Sequence, residues 1–153
     1  MKRILIAVDD CKGSIRAAET LIDMFSTTKP VVTLIYVQKV LGPSLVGEGM
    51  AMGPEMDTLR EALQGTEYKE ALNVRADKIM AHYQKKLEEA GITDTTCIVK
   101  VGHPAEEILS SAKETEAELI VIGSRGKRIH DFLLGSVSRE VANGSSIPVL
   151  LTK

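Results

Sequence analysis

Glycine and basic residues cluster in one short stretch of the chain and could together hold an anion. Residues 123–136 read GSRGKRIHDFLLGS and follow the apolar run LIVI at residues 119–122. Gly123 and Gly126 lack a Cβ, so the backbone there can approach a ligand closely and adopt positive φ. Arg125 and the two cations that follow Gly126 could neutralise the charge of a phosphate. This stretch therefore predicts a phosphate-binding loop.

Two further features point to a nucleotide. Ser136 begins a helical pattern, and the first N–H groups of a helix have no acceptor within it and favour a phosphate. The hydroxyls of Ser136 and Ser138 add hydrogen-bond donors. Asp9 follows the first apolar run, and an ionised carboxylate suits ribose hydroxyls or the adenine amino group.

Each of these features also has an ordinary structural explanation. Glycines after strands often form turns, basic loops are usually solvated, and an aspartate at a strand end often caps the next helix. A ligand site is favoured because all of these features are expected to lie around one crevice in the predicted fold.

That convergence depends on the fold that the sequence predicts. Apolar runs of strand length occur at residues 3–8, 31–37, 95–101, 119–122 and 148–152, and stretches of helical period separate most of them. This pattern is typical of a doubly wound α/β domain with a five-stranded parallel sheet and helices on both faces. With strand order 3-2-1-4-5, Asp9 and Gly123 flank the crevice where ligands bind in such sheets.

Local signals predict where the helices begin and end. We expect Ser14 to cap the first helix and Ile15 to lie on its buried face. A long helix is expected over residues 68–90, with Gly91 as its terminator. Pro104 suits the first turn of the next helix.

Length and composition bound the remaining possibilities. The 153 residues fit one domain, 1–153, in which the connection 38–66 with its Gly/Met-rich stretch 41–56 is expected to be long and mobile. A net charge of −2 gives no field that would attract nucleic acid or a membrane surface. Two cysteines, no membrane-length apolar run and no signal segment lead us to expect a cytoplasmic protein.

The sequence resembles the universal stress protein family over essentially the whole chain, and three segments carry the resemblance. They are KRILIAVDDCKGSIRAAE, GHPAEEILSSAKETEAELIVIGSRG and LLGSVSREVANGSSIPVLLTK. The resemblance implies an adenine nucleotide alpha hydrolase-like domain that forms a homodimer through its last strand, residues 148–152. It also implies ATP as ligand, with Mg²⁺ recruited by the phosphates.

The nucleotide-binding members of that family are marked by G-x-x-G, nine residues, and then G-S or G-T. Here Gly123, Gly126, Gly135 and Ser136 match, with eight residues between the two parts. One missing residue changes loop-closure entropy by about tenths of a kcal/mol, so we expect the loop to keep both anchors.

The resemblance assigns roles to individual residues. Asp9 and Val37 would hold the base and ribose, and Ile122 and Gly123 would back the adenosine. The complete set of implied ligand residues is Ala7, Asp9, Val37, Ile122, Gly123, Arg125, Gly126, Gly135, Ser136, Val137 and Ser138.

Alternative functions remain. A phosphorelay receiver shares the acidic end of the first strand, but the third apolar run leads into Gly102 and His103 instead of an aspartate, so we reject it. Standard catalytic motifs are absent, which leaves slow ATP hydrolysis as the most that we expect. A nucleotide-free interaction protein is the other alternative, since an edge strand carrying Val149 and Leu151 needs a covering chain. The protein partners are unknown.

Overall fold

The computed structural model describes residues 2–39, 67–124 and 134–153. These ranges contain five strands: β1 (Arg3–Ala7), β2 (Val31–Gln38), β3 (Thr95–Val101), β4 (Leu119–Gly123) and β5 (Val149–Thr152). They also contain four helices: α1 (Lys12–Phe25), α2 (Glu67–Glu89), α3 (Pro104–Glu114) and α4 (Ser136–Gly144). The stretch 41–56, and with it most of the predicted connection 38–66, lies outside the described residues.

The strands form one parallel sheet in the order β3-β2-β1-β4-β5, which confirms the predicted topology. Ala7 is in register with Ile35 of β2 on one side and with Ile122 of β4 on the other. The carboxyl ends of the three central strands therefore lie side by side.

Helices cover both faces of the sheet, as predicted. Ile4, Ile6 and Val8 pack in a buried cluster with residues of α1 and α2, whereas Leu5 and Ala7 pack in a second cluster with α3 and α4. Successive side chains of a strand point to opposite faces. Both faces of β1 are thus buried, which explains why its sequence is apolar without alternation.

The long helix and its terminator agree with the prediction. α2 runs from Glu67 to Glu89 and buries Ala76, Ile79, Tyr83 and Leu87 along one face. Gly91 has a φ of 82°, a conformation that glycine adopts without a side-chain clash. The described helices include none with the length and apolar character that crossing a bilayer requires.

The prediction for α1 was wrong in two respects. The helix begins at Lys12 with Cys11 at its N-cap, so Ser14 is not the capping residue. Ser14 is buried because its hydroxyl turns towards Asp9 instead. Ile15 is 38% exposed, and Ala17, Ala18 and Leu21 form the buried face.

Candidate functional site

The ends of β1 and β4 meet at the carboxyl edge of the sheet, where the sequence places its candidate site. Ala7 and Ile122 are adjacent in the sheet, and both belong to the buried cluster on the α3 and α4 side. Val37 of β2 packs against the same cluster. Three residues implied by the family resemblance therefore share one face of the sheet near its carboxyl edge.

Asp9 is held by a set of hydrogen bonds just beyond β1. Its Oδ1 atom accepts from the Cys11 N–H at 2.8 Å and from the Ser14 hydroxyl at 2.7 Å. The Ser14 Oγ atom in turn accepts from the Asp9 N–H at 2.9 Å. Both of these bonds end on Oδ1, so neither of them occupies Oδ2, the oxygen to which a ligand could donate.

A tyrosine from a helix distant in sequence also bonds to Asp9. The Tyr83 hydroxyl of α2 donates to the Asp9 carbonyl oxygen at 3.2 Å. Burial, and secondarily the nearby Asp9 charge, raises the pKa of Tyr83 to about 12. Burial is also the main cause that raises the pKa of the Cys11 thiol, so this cysteine is a protonated core group.

Gly123 fits tightly against the first turn of α1. A Cβ on Gly123 would lie 2.6 Å from the backbone carbon of Gly13, closer than real Cβ contacts occur. The absence of a side chain at Gly123 thus has a packing reason within the protein, whether or not a ligand also approaches it.

The first turn of α4 is fastened to the end of β4. The buried Ser138 hydroxyl donates to the Gly123 carbonyl oxygen at 2.7 Å, and the Gly135 N–H donates to the Ser124 carbonyl oxygen at 2.8 Å. The first intrahelical bond runs from the Arg139 N–H to the Gly135 oxygen. The N–H groups of the three residues 136–138 therefore have no acceptor within the helix and can serve an anion.

An open cleft of about 380 Å³ lies beside this helix start. Its walls come from the end of β2, the turn between β3 and α3, and the first two turns of α4. The lining residues are Lys39, Gly102, His103, Pro104, Ser136, Val137 and Glu140. A second, smaller cavity of about 110 Å³ lies at the opposite end of α4, around Gly144 and Ile147, away from the strand tips.

The described residues thus bring most of the predicted set to one edge of the sheet. Val137 and Ser136 line the cleft, while Gly123, Gly135 and Ser138 bond the helix start to the strand. Arg125 and Gly126 lie outside the described residues, so their predicted roles stay predictions.

The contacts that several further residues make at this site were not predicted from the sequence. Ser14 and Tyr83 support Asp9, and His103 and Glu140 face each other across the cleft at 3.5 Å. Glu140 could have been found, because it follows Ser136 by four residues and so lies on the same face of α4. Tyr83 gave no such signal, since its contact with Asp9 depends on how α2 packs against the sheet.

Over residues 2–39, 67–124 and 134–153, no group of three or more His, Cys, Asp or Glu side chains is placed to hold a metal ion.

Comparison with known proteins gives a match along the entire chain. The family model described as the universal stress protein family matches residues 1–153. Universal stress protein YxiE of Bacillus subtilis is 31% identical over 155 aligned positions, which cover 99% of this chain and 98% of the relative.

Solved structures agree with this match. The structure of MJ0577, a universal stress protein of Methanocaldococcus jannaschii, is 27% identical, with a TM-score of 0.79, and the match covers 99% of this chain and 95% of that one. A universal stress protein in complex with cAMP (22% identical, TM-score 0.68, 99% and 97% covered) has the same fold. So has one from Archaeoglobus fulgidus in complex with dAMP (20% identical, TM-score 0.62, 100% and 98% covered).

Proposed function

The chain belongs to the universal stress protein family, and from this premise we propose that it is a regulatory module that binds ATP at the carboxyl edge of its sheet. In this proposal, occupancy of the site is read out through contacts of a cytoplasmic homodimer. Binding of an adenine nucleotide is the part of this proposal with most support. That the nucleotide is ATP and that the protein acts as a dimer are more specific parts of the same proposal.

One observation carries the proposal, namely the position of the first turn of α4. Gly135 and Ser138 bond that turn to the end of β4, next to β1. Ser136 and Val137 of that turn line the cleft, and the N–H groups of residues 136–138 have no acceptor within the helix, so they suit a phosphate. Asp9 then recognises the ribose or base with its Oδ2 atom.

The ligands of two fold relatives are consistent with this assignment. One was solved with cAMP and the other with dAMP, and the two ligands share an adenine, a pentose and one phosphate. Their identity to this chain is low, so the proposal rests on the residues described above and takes only the class of ligand from them. Magnesium would be brought by the phosphates of ATP.

A proline substitution at Ser136 tests the proposal. Proline is favoured at the first position of a helix, and Gly135 has a ψ of 151°, which a following proline accepts. Ser136→Pro therefore removes one N–H and one hydroxyl while α4 is kept. We expect isothermal titration with ATP and Mg²⁺ to give an affinity at least about tenfold below that of the parent protein.

Two controls make this test specific. Ser136→Ala removes only the hydroxyl and should cost less than Ser136→Pro, and adenosine, which has no phosphate, should bind all three proteins equally. If the parent protein gives no heat and no thermal shift at millimolar ATP, the proposal is wrong. If a folded Ser136→Pro protein bound ATP normally, the first turn of α4 would not be part of the binding site.

A nucleotide-free dimeric interaction protein is the second candidate, and a specific observation favours it. Gly123 and Ser138 both have structural roles that need no ligand, namely the contact with Gly13 and the bond to the Gly123 oxygen. Among the described strands, β5 pairs with β4 alone, and Val149 and Leu151 are only partly buried. A second chain paired with β5 would satisfy that edge.

Both candidate functions assume a homodimer, and sedimentation equilibrium tests this by measuring the mass of the protein in solution. We expect a species of twice the 16.6 kDa chain mass. A monomer at all concentrations tested would eliminate the nucleotide-free dimer and leave nucleotide binding to be judged by titration.

A further inference from the structure

The cleft next to the proposed phosphate site contains an ion pair that the proposed function does not use. His103 lies between β3 and α3, and its Nε2 atom is 3.5 Å from Oε2 of Glu140 on α4. The two side chains are 52% and 48% exposed, so both can be reached from the cleft that they line. This distance exceeds that of a normal N–H···O hydrogen bond, so the attraction depends on charge and requires a protonated imidazole.

Glu140 is placed where a negative charge works against an anionic ligand. It lies four residues after Ser136 and therefore one turn along the same face of α4. The N–H groups of the first turn attract a phosphate, whereas a carboxylate one turn away repels it. Protonated His103 cancels that repulsion, and neutral His103 leaves it in force.

Among the described residues, Lys39 and Glu107 are further charged side chains near the pair. Lys39, after β2, lines the same cleft. Glu107 of α3 has its Oε1 atom 3.0 Å from the position that a Cβ on Gly102 would take, beside His103. Lys39 and Glu107 have opposite charges, so these two side chains together add no net charge beside the pair.

We propose that the His103–Glu140 pair is a specificity determinant of the nucleotide cleft. Glu140 lowers affinity for each further negative charge on the nucleotide, and protonation of His103 relieves that effect. This inference rests on the proposed function, because it concerns which charge state of an adenine nucleotide the site prefers. It assigns His103 a positioning role that acts through Glu140.

Titration of the full chain with adenosine, AMP and ATP at low salt isolates the effect of Glu140. We expect Glu140→Gln to raise affinity for ATP by about tenfold and for AMP by about threefold, and to leave adenosine unchanged. Glu88→Gln is the matched control. It removes the same charge from an exposed position near the end of α2 and should change no affinity.

Cyclic AMP tests His103, because its phosphodiester keeps a single negative charge between about pH 5 and about pH 8. Any change in its affinity with pH therefore belongs to the protein. We expect the parent protein to bind it about fivefold more tightly at about pH 5.5 than at about pH 8. His103→Gln should bind weakly at both pH values and His103→Arg tightly at both, while His82 and His130 remain in every variant.

The outcomes separate this inference from the function on which it rests. Parent protein that binds neither ATP nor cyclic AMP contradicts both. If the parent protein binds nucleotide but Glu140→Gln changes the affinities for ATP, AMP and adenosine by the same factor, the inference is wrong and the proposed function stands. A His103→Gln protein that keeps the full pH dependence of the parent protein also contradicts the inference and leaves nucleotide binding intact.

Discussion

The two halves of the candidate site are built in different ways. At the β1 end, Asp9 is fixed by bonds from Cys11 and Ser14 at the start of α1 and from Tyr83 of α2. At the α4 end, the groups offered to a ligand are backbone N–H groups of the first turn, beside an open cleft. A pre-positioned side chain can discriminate between nucleosides, whereas a helix start attracts any phosphate.

This difference predicts which substitutions should change the free energy of unfolding and which should change ligand affinity alone. The β1 end depends on exact packing and hydrogen bonds, so changes there should affect the free energy of unfolding as well as binding. The cleft beside α4 is lined by half-exposed side chains, so changes there should affect ligand affinity and leave stability nearly untouched.

The largest expected effect is at the junction between the two halves. Gly123→Ala would place a Cβ 2.6 Å from the Gly13 backbone, which cannot move without shifting α1. We expect the free energy of unfolding, measured in urea, to fall by about 3 kcal/mol. Gly144→Ala is the control, since the added Cβ meets only the end of the Leu109 side chain at 2.8 Å. Equal stability of the two variants would show that the packing argument for Gly123 is mistaken.

Asp9 is expected to have a large effect on ligand binding. Asp9→Ala removes the carboxylate to which we assign hydrogen bonding to the adenosine part. Affinity for adenosine and for ATP should therefore fall by a similar factor, at least about tenfold in calorimetry. Arg125→Ala, at the predicted phosphate end, should weaken ATP more than adenosine. Identical profiles for the two variants would contradict the division of the site into two halves.

The raised pKa of Tyr83 leads us to expect that the free energy of unfolding depends on pH. Its folded-state pKa of about 12 lies above the unfolded value of about 10, so its contribution is complete below about pH 10 and is lost as pH rises towards 12. The loss should be on the order of 2 kcal/mol. Tyr83→Phe, which also forfeits the bond to the Asp9 oxygen, should lack this component in urea unfolding at several alkaline pH values. An unchanged pH profile in that variant would assign the titration to another group.

The smallest effect is expected from the ion pair next to Asp9. Arg75 of α2 contacts the carboxylate of Asp10, and both side chains are more than a third exposed. Arg75→Gln should change the free energy of unfolding by no more than about 0.5 kcal/mol, because solvent screens exposed pairs. A loss as large as that of Tyr83→Phe would mean that the β1 end is held by surface charge and not by its buried bonds.

Much of the arrangement of the sheet could be predicted from the sequence. Alternating strand and helix patterns predicted a parallel sheet, and the order 3-2-1-4-5 assumed for it, which the structure confirms, placed Asp9 and Gly123 at adjacent strand ends. Local signals were also reliable where backbone geometry is special, as at Gly91 and Pro104.

Contacts that depend on the path of a turn or on the packing of distant elements could not be predicted in this way. Ser14 looked like a helix cap because that is the usual role of serine near a helix start, and its bond to Asp9 depends on the turn between β1 and α1. The approach of Gly13 to Gly123 depends on how α1 crosses β4. The His103–Glu140 pair likewise depends on the relative placement of α3 and α4.

Amide NMR of the labelled full chain during titration with ATP and Mg²⁺ tests the central claim most directly. If a nucleotide lies between the ends of β1 and β4 with its phosphates on the first turn of α4, the largest shifts should come from the N–H groups of residues 136–138 and of Gly123. Largest shifts at the far end of α4, around residues 144–147, or no shifts at saturating ATP, would contradict the account.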